Sequence, residues 1–444
     1  MNKKPLIIII ILTLISCKVQ YENTNNKNIS QNNNNNNISE EQKISSDKKI
    51  IKKIKKNIQT ILFHKVNSEQ SLPIINLNSN EILKLSFDEL DNEITNYFYT
   101  IEHFDYQWKK SNLLASEYID GFIQNEITEY NLSFNTNQKY IHYSTLIPSN
   151  NMKPLISGNY KIHVYDLFSD TIFSENFKVI ENLVNIDSRV KRATLANERK
   201  TKHEIDFTIK HPNLKIQDPY SDIKVVINQN NKEYSAIRDL TPIYVKNNEL
   251  IYDYNEENTF FGLNEFRHFN IESLRYFSER IKNIKKDSIK TEIILMNDLK
   301  RSFNNYSILP DLNGKYAIKS QEAWNSSVEA EYVYVNFSLI HDILNNENIY
   351  VIGEFNNWKL NNDNKLKYDY KEKKYSKSIL LKQGYYNYHY AISDTTLENI
   401  DVKRIEGTHY QTRNDYYIYI YHREIGSRYD KLIGFTKTSS KELF

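Results

Sequence analysis

A single cysteine in 444 residues leaves the chain unable to form an internal disulfide, so its folded part is held by burial alone. Glycine is scarce, at 9 residues, which argues against phosphate-cradling loops, and neither G-x-x-x-x-G-K nor G-x-S-x-G occurs. The 11 histidines fall at no ligand spacing, and His203-Glu204 lacks the second histidine that a zinc-protease helix requires. Charge is nearly balanced at a net +2, giving no basic field for nucleic acid. Acidic pairs such as Asp253 with Glu256 are what 56 scattered acids produce by chance, so no catalysis is assigned. The sequence therefore leads to the expectation of a non-enzyme, with no cofactor, metal or small-molecule substrate.

What the chain has in quantity is tyrosine: 34 Tyr and 20 Phe against 3 Trp. Tyrosine is apolar in body and polar at its tip, and it suits half-buried pleated surfaces. From residue 59 onward, short runs rich in Ile, Tyr and Phe at 61–64, 82–87, 97–102, 140–144 and 160–165 are separated by Asn, Asp, Ser and Pro. In a second block, H-E-I-D-F-T-I-K sets Ile205, Phe207 and Ile209 on one face and Glu204, Asp206 and Thr208 on the other. In a third, Val333, Val335, Phe337 and Leu339 alternate with Tyr332, Tyr334, Asn336 and Ser338. Helical periodicity is absent. The fold class is all-β: tandem immunoglobulin-like (early-set) sandwiches over 58–182, 183–327 and 328–424, with a C-terminal tail over 425–444.

The outer blocks share a pattern. F-Y-T-I-E-H-F-D-Y-Q-W (98–108) is followed by G-N-Y-K-I-H-V-Y (158–165), and V-I-G-E-F-N-N-W (351–358) by G-Y-Y-N-Y-H-Y-A (384–391). In each, an apolar strand turns into a corner ending in tryptophan. A later glycine then opens an alternating strand whose Tyr160 or Tyr386 is expected to pack over the sheet.

The first residues carry Lys3 and Lys4 ahead of an apolar run over 6–14, too short for an ordinary transmembrane helix. Leu14-Ile15-Ser16-Cys17 resembles a bacterial lipobox, which implies a signal peptide over 1–16 and lipidation of Cys17. Lys18-Val19-Gln20 offers no acidic retention or export signal, so the expected location is the outer membrane, facing the periplasm. Residues 17–57 are Asn- and Lys-rich and read as a disordered tether. A flexible segment of about 40 residues has an r.m.s. reach of about 35 Å.

Two resemblances bear on function. The third block is similar to glycogen-binding modules, whose stacked indoles grip glucan, and Trp358 and Asn414 fall at matching places. The second indole is missing, which favours a structural corner, and a carbohydrate-binding lipoprotein stands as the alternative function. The wider pattern resembles the plug proteins of the type IX secretion system. It rests on S-L-P-I-I-N-L-N-S-N-E (71–81), the 98–108 string, S-E-Y-I-D-G-F (116–122), S-F-N-T (133–136), V-K-R-A-T (190–194), N-E-F-R-H-F-N-I-E-S-L-R-Y (264–276) and G-S-R-Y-D-K-L-I-G-F (426–435). That resemblance implies a periplasmic subunit that docks on an outer-membrane translocon β-barrel and seals it. Arg267, His268, Arg275 and Tyr276 lie in its most distinctive string, and with Trp358 and Asn356 they are the candidate interaction surface.

Overall fold

The computed structural model describes residues 57–443, apart from 169, 170, 288 and 398. The expected signal peptide, Cys17 and the tether up to residue 56 lie outside the described residues. Nearly everything described is strand and turn, as the alternation predicts. Among the described residues, no helix is long and apolar enough to cross a membrane.

The first sandwich stacks two sheets. One orders Ile58–Lys65, Leu83–Glu89, Ile141–Ile147 and Glu129–Leu132; the other orders Ile74–Asn76, Thr171–Ile180, Gly158–Tyr165, Tyr97–Phe104 and Asn125–Ile127. In Tyr97–Phe104, Tyr97, Tyr99 and Ile101 are buried while Phe98, Thr100 and Glu102 are half-exposed, the period-two pattern of a sheet with one covered face. The inward rings pack on one another: Phe87 stacks on Tyr143 at 5.2 Å, and Tyr160 stacks on Phe177 at 5.2 Å. Each large side chain buried this way contributes roughly 1.5–3 kcal/mol.

The second sandwich is not contiguous in sequence. One sheet orders Asn185–Arg192, Lys202–Lys210, Glu249–Tyr252 and Tyr244–Lys246, and the other orders Ile237–Arg238, Ile223–Gln229, Asp415–His422 and Lys431–Ser439. The strand Asp415–His422, D-Y-Y-I-Y-I-Y-H, is buried along its whole length because both of its faces are covered. Tyr416, Ile418 and Ile420 enter the sandwich core, while Tyr417, Tyr419 and Tyr421 pack with Ile74 and Ile180 of the first sandwich. The segment 425–444, expected as a tail, supplies Lys431–Ser439, which pairs along Asp415–His422.

Between these halves lies the third sandwich. One sheet pairs Arg267–Asn270, Tyr316–Ile318 and Asn348–Ile352 with Gly384–Ser393. The other orders Ile281–Lys286, Thr291–Leu295, Tyr332–Ile340, Lys374–Lys382 and Lys367–Asp369. The expected cut between 327 and 328 thus falls inside a sandwich whose first strand is Arg267–Asn270. The outgoing and returning crossings lie side by side, with the His409 N–H donating to the Leu263 carbonyl at 2.8 Å. The third sandwich is an insertion into the second.

Candidate docking surface and central cavity

The corner after Asn348–Ile352 is built by its asparagines. Asn356 Nδ2 donates to the Val351 carbonyl at 2.8 Å and its Oδ1 accepts from the Gly353 N–H at 3.1 Å. Asn357 and Trp358 then adopt left-handed backbone, with φ of 52° and 57°. The indole turns inward and is only 7 % exposed, packed against Phe266 at 5.7 Å. It lies over Gly314, where a Cβ would come within 2.3 Å of Trp358 Cη2. Little of the ring is left for a sugar to stack on, which corrects the placement of Trp358 on an interaction surface, and the Asn356 amide is taken up by the corner itself. Asn414 belongs to the second sandwich, where its Nδ2 donates to the Gly262 carbonyl and its Oδ1 accepts from Asn230. The glucan reading loses its platform and its polar clamp. In the first sandwich Trp108 repeats the left-handed corner at φ 63°, half-buried, with the Lys178 ammonium 4.9 Å from its ring.

The string 264–276 divides between interior and surface. Arg267 is buried: its Nε donates to both Glu406 oxygens at 3.0 Å, one terminal nitrogen to Asp298 at 2.7 Å and the other to the Leu299 carbonyl at 2.8 Å. Tyr388 and Tyr390 hydroxyls donate to the other Asp298 oxygen, and Arg301 to Glu406. Burial works to raise the Glu406 pKa, but Arg267 and Arg301 outweigh it and hold the carboxyl well below the usual range. Arg267 therefore ties the two sheets of the third sandwich together and is not a docking residue.

His268 is largely covered, stacked on Tyr385 at 5.5 Å. Arg275 and Tyr276 are exposed, and Phe277 beside them is exposed too. Ser273 donates to Glu322 at 2.6 Å and Arg275 lies 3.9 Å from the same carboxylate. That contact brings their loop next to the turn carrying Trp324, the one fully exposed tryptophan among the described residues. Arginine, tyrosine and tryptophan are the side-chain types that dominate protein interfaces. The sequence reading missed Trp324; its signal was a tryptophan outside the two corner motifs, in a polar turn.

Where the three sandwiches meet there is a cavity of about 950 Å³, walled by Glu175 and Lys178 of the first, Tyr234 and Tyr419 of the second, and Lys315 and Glu354 of the third. Burial, with Glu175 nearby, pushes the Glu354 carboxyl up to about 7 against the pull of Lys315. Beside the cavity, the first and third sandwiches are fastened by a buried knot around Asp88. Its Oδ2 accepts from Lys382 Nζ and the Tyr332 hydroxyl, each at 2.6 Å, and its Oδ1 lies 2.7 Å from His142 Nδ1. Lys382 also donates to the Ser327 carbonyl and lies 4.1 Å from the Tyr140 ring. Elsewhere, Glu204, Asp206 and Asp253 converge closely enough to hold a cation, but the Lys191 ammonium reaches all three, at 3.0, 2.6 and 3.5 Å.

Comparison with known proteins agrees with this architecture. Residues 58–181 match the family described as "Type 9 secretion system plug protein 1st domain". The crystal structure of a hypothetical protein from Parabacteroides merdae ATCC 43184 superposes with a TM-score of 0.84 at 33% identity, covering 86% of this chain and 97% of that one. No curated protein matches.

Proposed function

We infer function from one premise: the chain belongs to the type IX secretion system plug protein family. We propose that it is the periplasmic plug subunit, which docks on the outer-membrane translocon barrel of that system and seals it when no cargo is in transit. The observation that carries this reading is the family match over the first sandwich, residues 58–181.

The physics of the molecule fits the role. A seal must resist deformation, and the first and third sandwiches are clamped by a buried ion pair with satisfied hydrogen bonds. Breaking such a pair is expensive in low dielectric, so the two bodies move as one. The exposed Arg275, Tyr276, Phe277 and Trp324 supply anchors for a partner polypeptide. Lipidation at Cys17 with a tether over 17–57 would hold the plug at the periplasmic face of the outer membrane and let it release and re-dock. In this reading the protein is not an enzyme and takes no cofactor or small-molecule substrate.

The test is purification of the tagged protein from native membranes. A very large outer-membrane barrel protein is expected to accompany it, and deletion of the gene is expected to make the outer membrane permeable to bulky antibiotics. Absence of the barrel, together with an unchanged permeability barrier, would overturn the proposal.

A further inference from the structure

Edge strands carry unpaired backbone N–H and C=O groups, and folded proteins protect them by covering them or by placing lysine on them. Several edges in this molecule follow that rule. In the first sandwich, Ile58–Lys65 is covered by the third, through Thr60 to Tyr332 and the Ile61 carbonyl to Tyr316. Ile74–Asn76 packs against the second sandwich. In the third sandwich, the edge Ile281–Lys286 carries Lys282, Lys285 and Lys286, and the edge Lys367–Asp369 carries Lys367. Tyr244–Lys246, at an edge of the second, carries Lys246.

Glu129–Leu132 is protected less than these: it is short and carries one acid, Glu129, but has neither lysine nor cover. It is an edge strand of the first sandwich, pairing only with Ile141–Ile147, and all four of its residues are exposed. Among the described residues, no hydrogen bond reaches its outer edge. Tyr130 and Leu132 face the same way in its pleat, and Phe134 continues the period. Leu132 is 59% exposed and Phe134 62%, enough for apolar side chains to gain by being covered. Beyond them the Phe134 N–H donates to the Val328 carbonyl at 2.9 Å, which sets this end of the edge beside the turn that carries Trp324. The exposed Glu129, without an ion-pair partner among the described residues, marks one end, and exposed Lys139 lies in the hairpin at the other.

We propose that Glu129–Leu132 is a strand-addition site that captures an extended polypeptide segment of a partner. The segment is apolar at alternate positions, to cover Tyr130, Leu132 and Phe134, and basic at the end that meets Glu129. The occupant follows from chemistry. An exposed strand edge bonded to water can exchange that water for the main chain of an added strand, the apolar period of two selects alternation, and the charge at 129 sets polarity. On the plug reading above the segment belongs to the translocon; the strand-addition site itself does not depend on that reading.

The probe is a synthetic peptide of about ten residues with valine at alternate positions, threonine between them and lysine at one end. A matched peptide has proline at the threonine positions, which removes backbone donors. With the full-length protein, hydrogen–deuterium exchange at 129–132 is expected to slow at least about tenfold on adding the first peptide and not the second. Leu132→Lys with Phe134→Lys is expected to abolish that protection without moving the melting temperature, since both side chains are exposed. No protection, or equal protection by the proline peptide, would overturn the site. The source of the strand is tested by membrane purification. If the double variant recovers as much barrel protein as the wild type, the translocon is not the occupant. If the wild type recovers none and the deletion leaves the permeability barrier unchanged, the plug reading fails while the peptide result still decides the site.

Discussion

Asp88 serves three partners at once, and its worth depends on all of them being present. Lys382→Ala would strand the carboxylate in a buried site, so we expect a loss of about 3–5 kcal/mol in urea unfolding. Asp88→Asn combined with Lys382→Met removes both charges and should recover more than half of it. Lys232 offers the opposite case. It is buried, its ammonium lies 5.1 Å from the Phe266 ring and 5.2 Å from Trp358, and burial pushes its pKa down to about 7 against a pull from Asp311. Unfolded, it keeps its proton up to about 10.5, so between about 7 and 10.5 the unfolded chain binds more protons than the folded one. Stability contributed here therefore rises with pH across that window. Lys232→Met should flatten the slope and stabilise the protein near pH 7 by on the order of 1–3 kcal/mol, read from melting curves near pH 7 and pH 9. None of this was legible in the sequence, because the partners are remote: Asp88 and Lys382 are 294 positions apart. Arg267 stood out for its string, but its burial depends on Asp298 and Glu406, which no local pattern connects to it.

The strand alternation was legible, since a period of two is written in neighbouring residues: Tyr97, Tyr99 and Ile101 face inward as Val333, Val335 and Phe337 do. The glycine that opens each alternating strand was legible too, and its reason is steric. Gly158 has φ +144°, and a Cβ there would come 2.2 Å from His103 Nε2, a ring held by Ser111. Gly158→Ala is expected to cost about 1–3 kcal/mol from backbone strain, and displacement of His103 adds to it. Retention of the wild-type melting temperature would contradict that account. The tryptophan corner was half legible. Its asparagine turn is local, but the burial of Trp358 is decided by Gly314, Phe266 and Lys232 from other segments.

At the scale of the whole molecule, the nesting of one sandwich within another was hidden, because Ile223–Gln229 finds its partner at Asp415–His422. The sheet pairing makes a sharp prediction. A chain ending at 424 loses Lys431–Ser439 and exposes the faces of Ile418, Ile420 and Tyr419, so it should aggregate or melt without cooperativity. A fragment of residues 263–407 should fold, whereas 183–327 should not; circular dichroism melting of both checks this. The same nesting has a consequence for a newborn chain, which emerges N-terminus first. The outer two sandwiches can each close as soon as their own residues have appeared. The middle one has to hold Ile223–Gln229 in waiting while the entire insertion is synthesised and folds ahead of it. Assembly therefore runs first, third, second, and the molecule becomes one solid when Lys431–Ser439 zips into place.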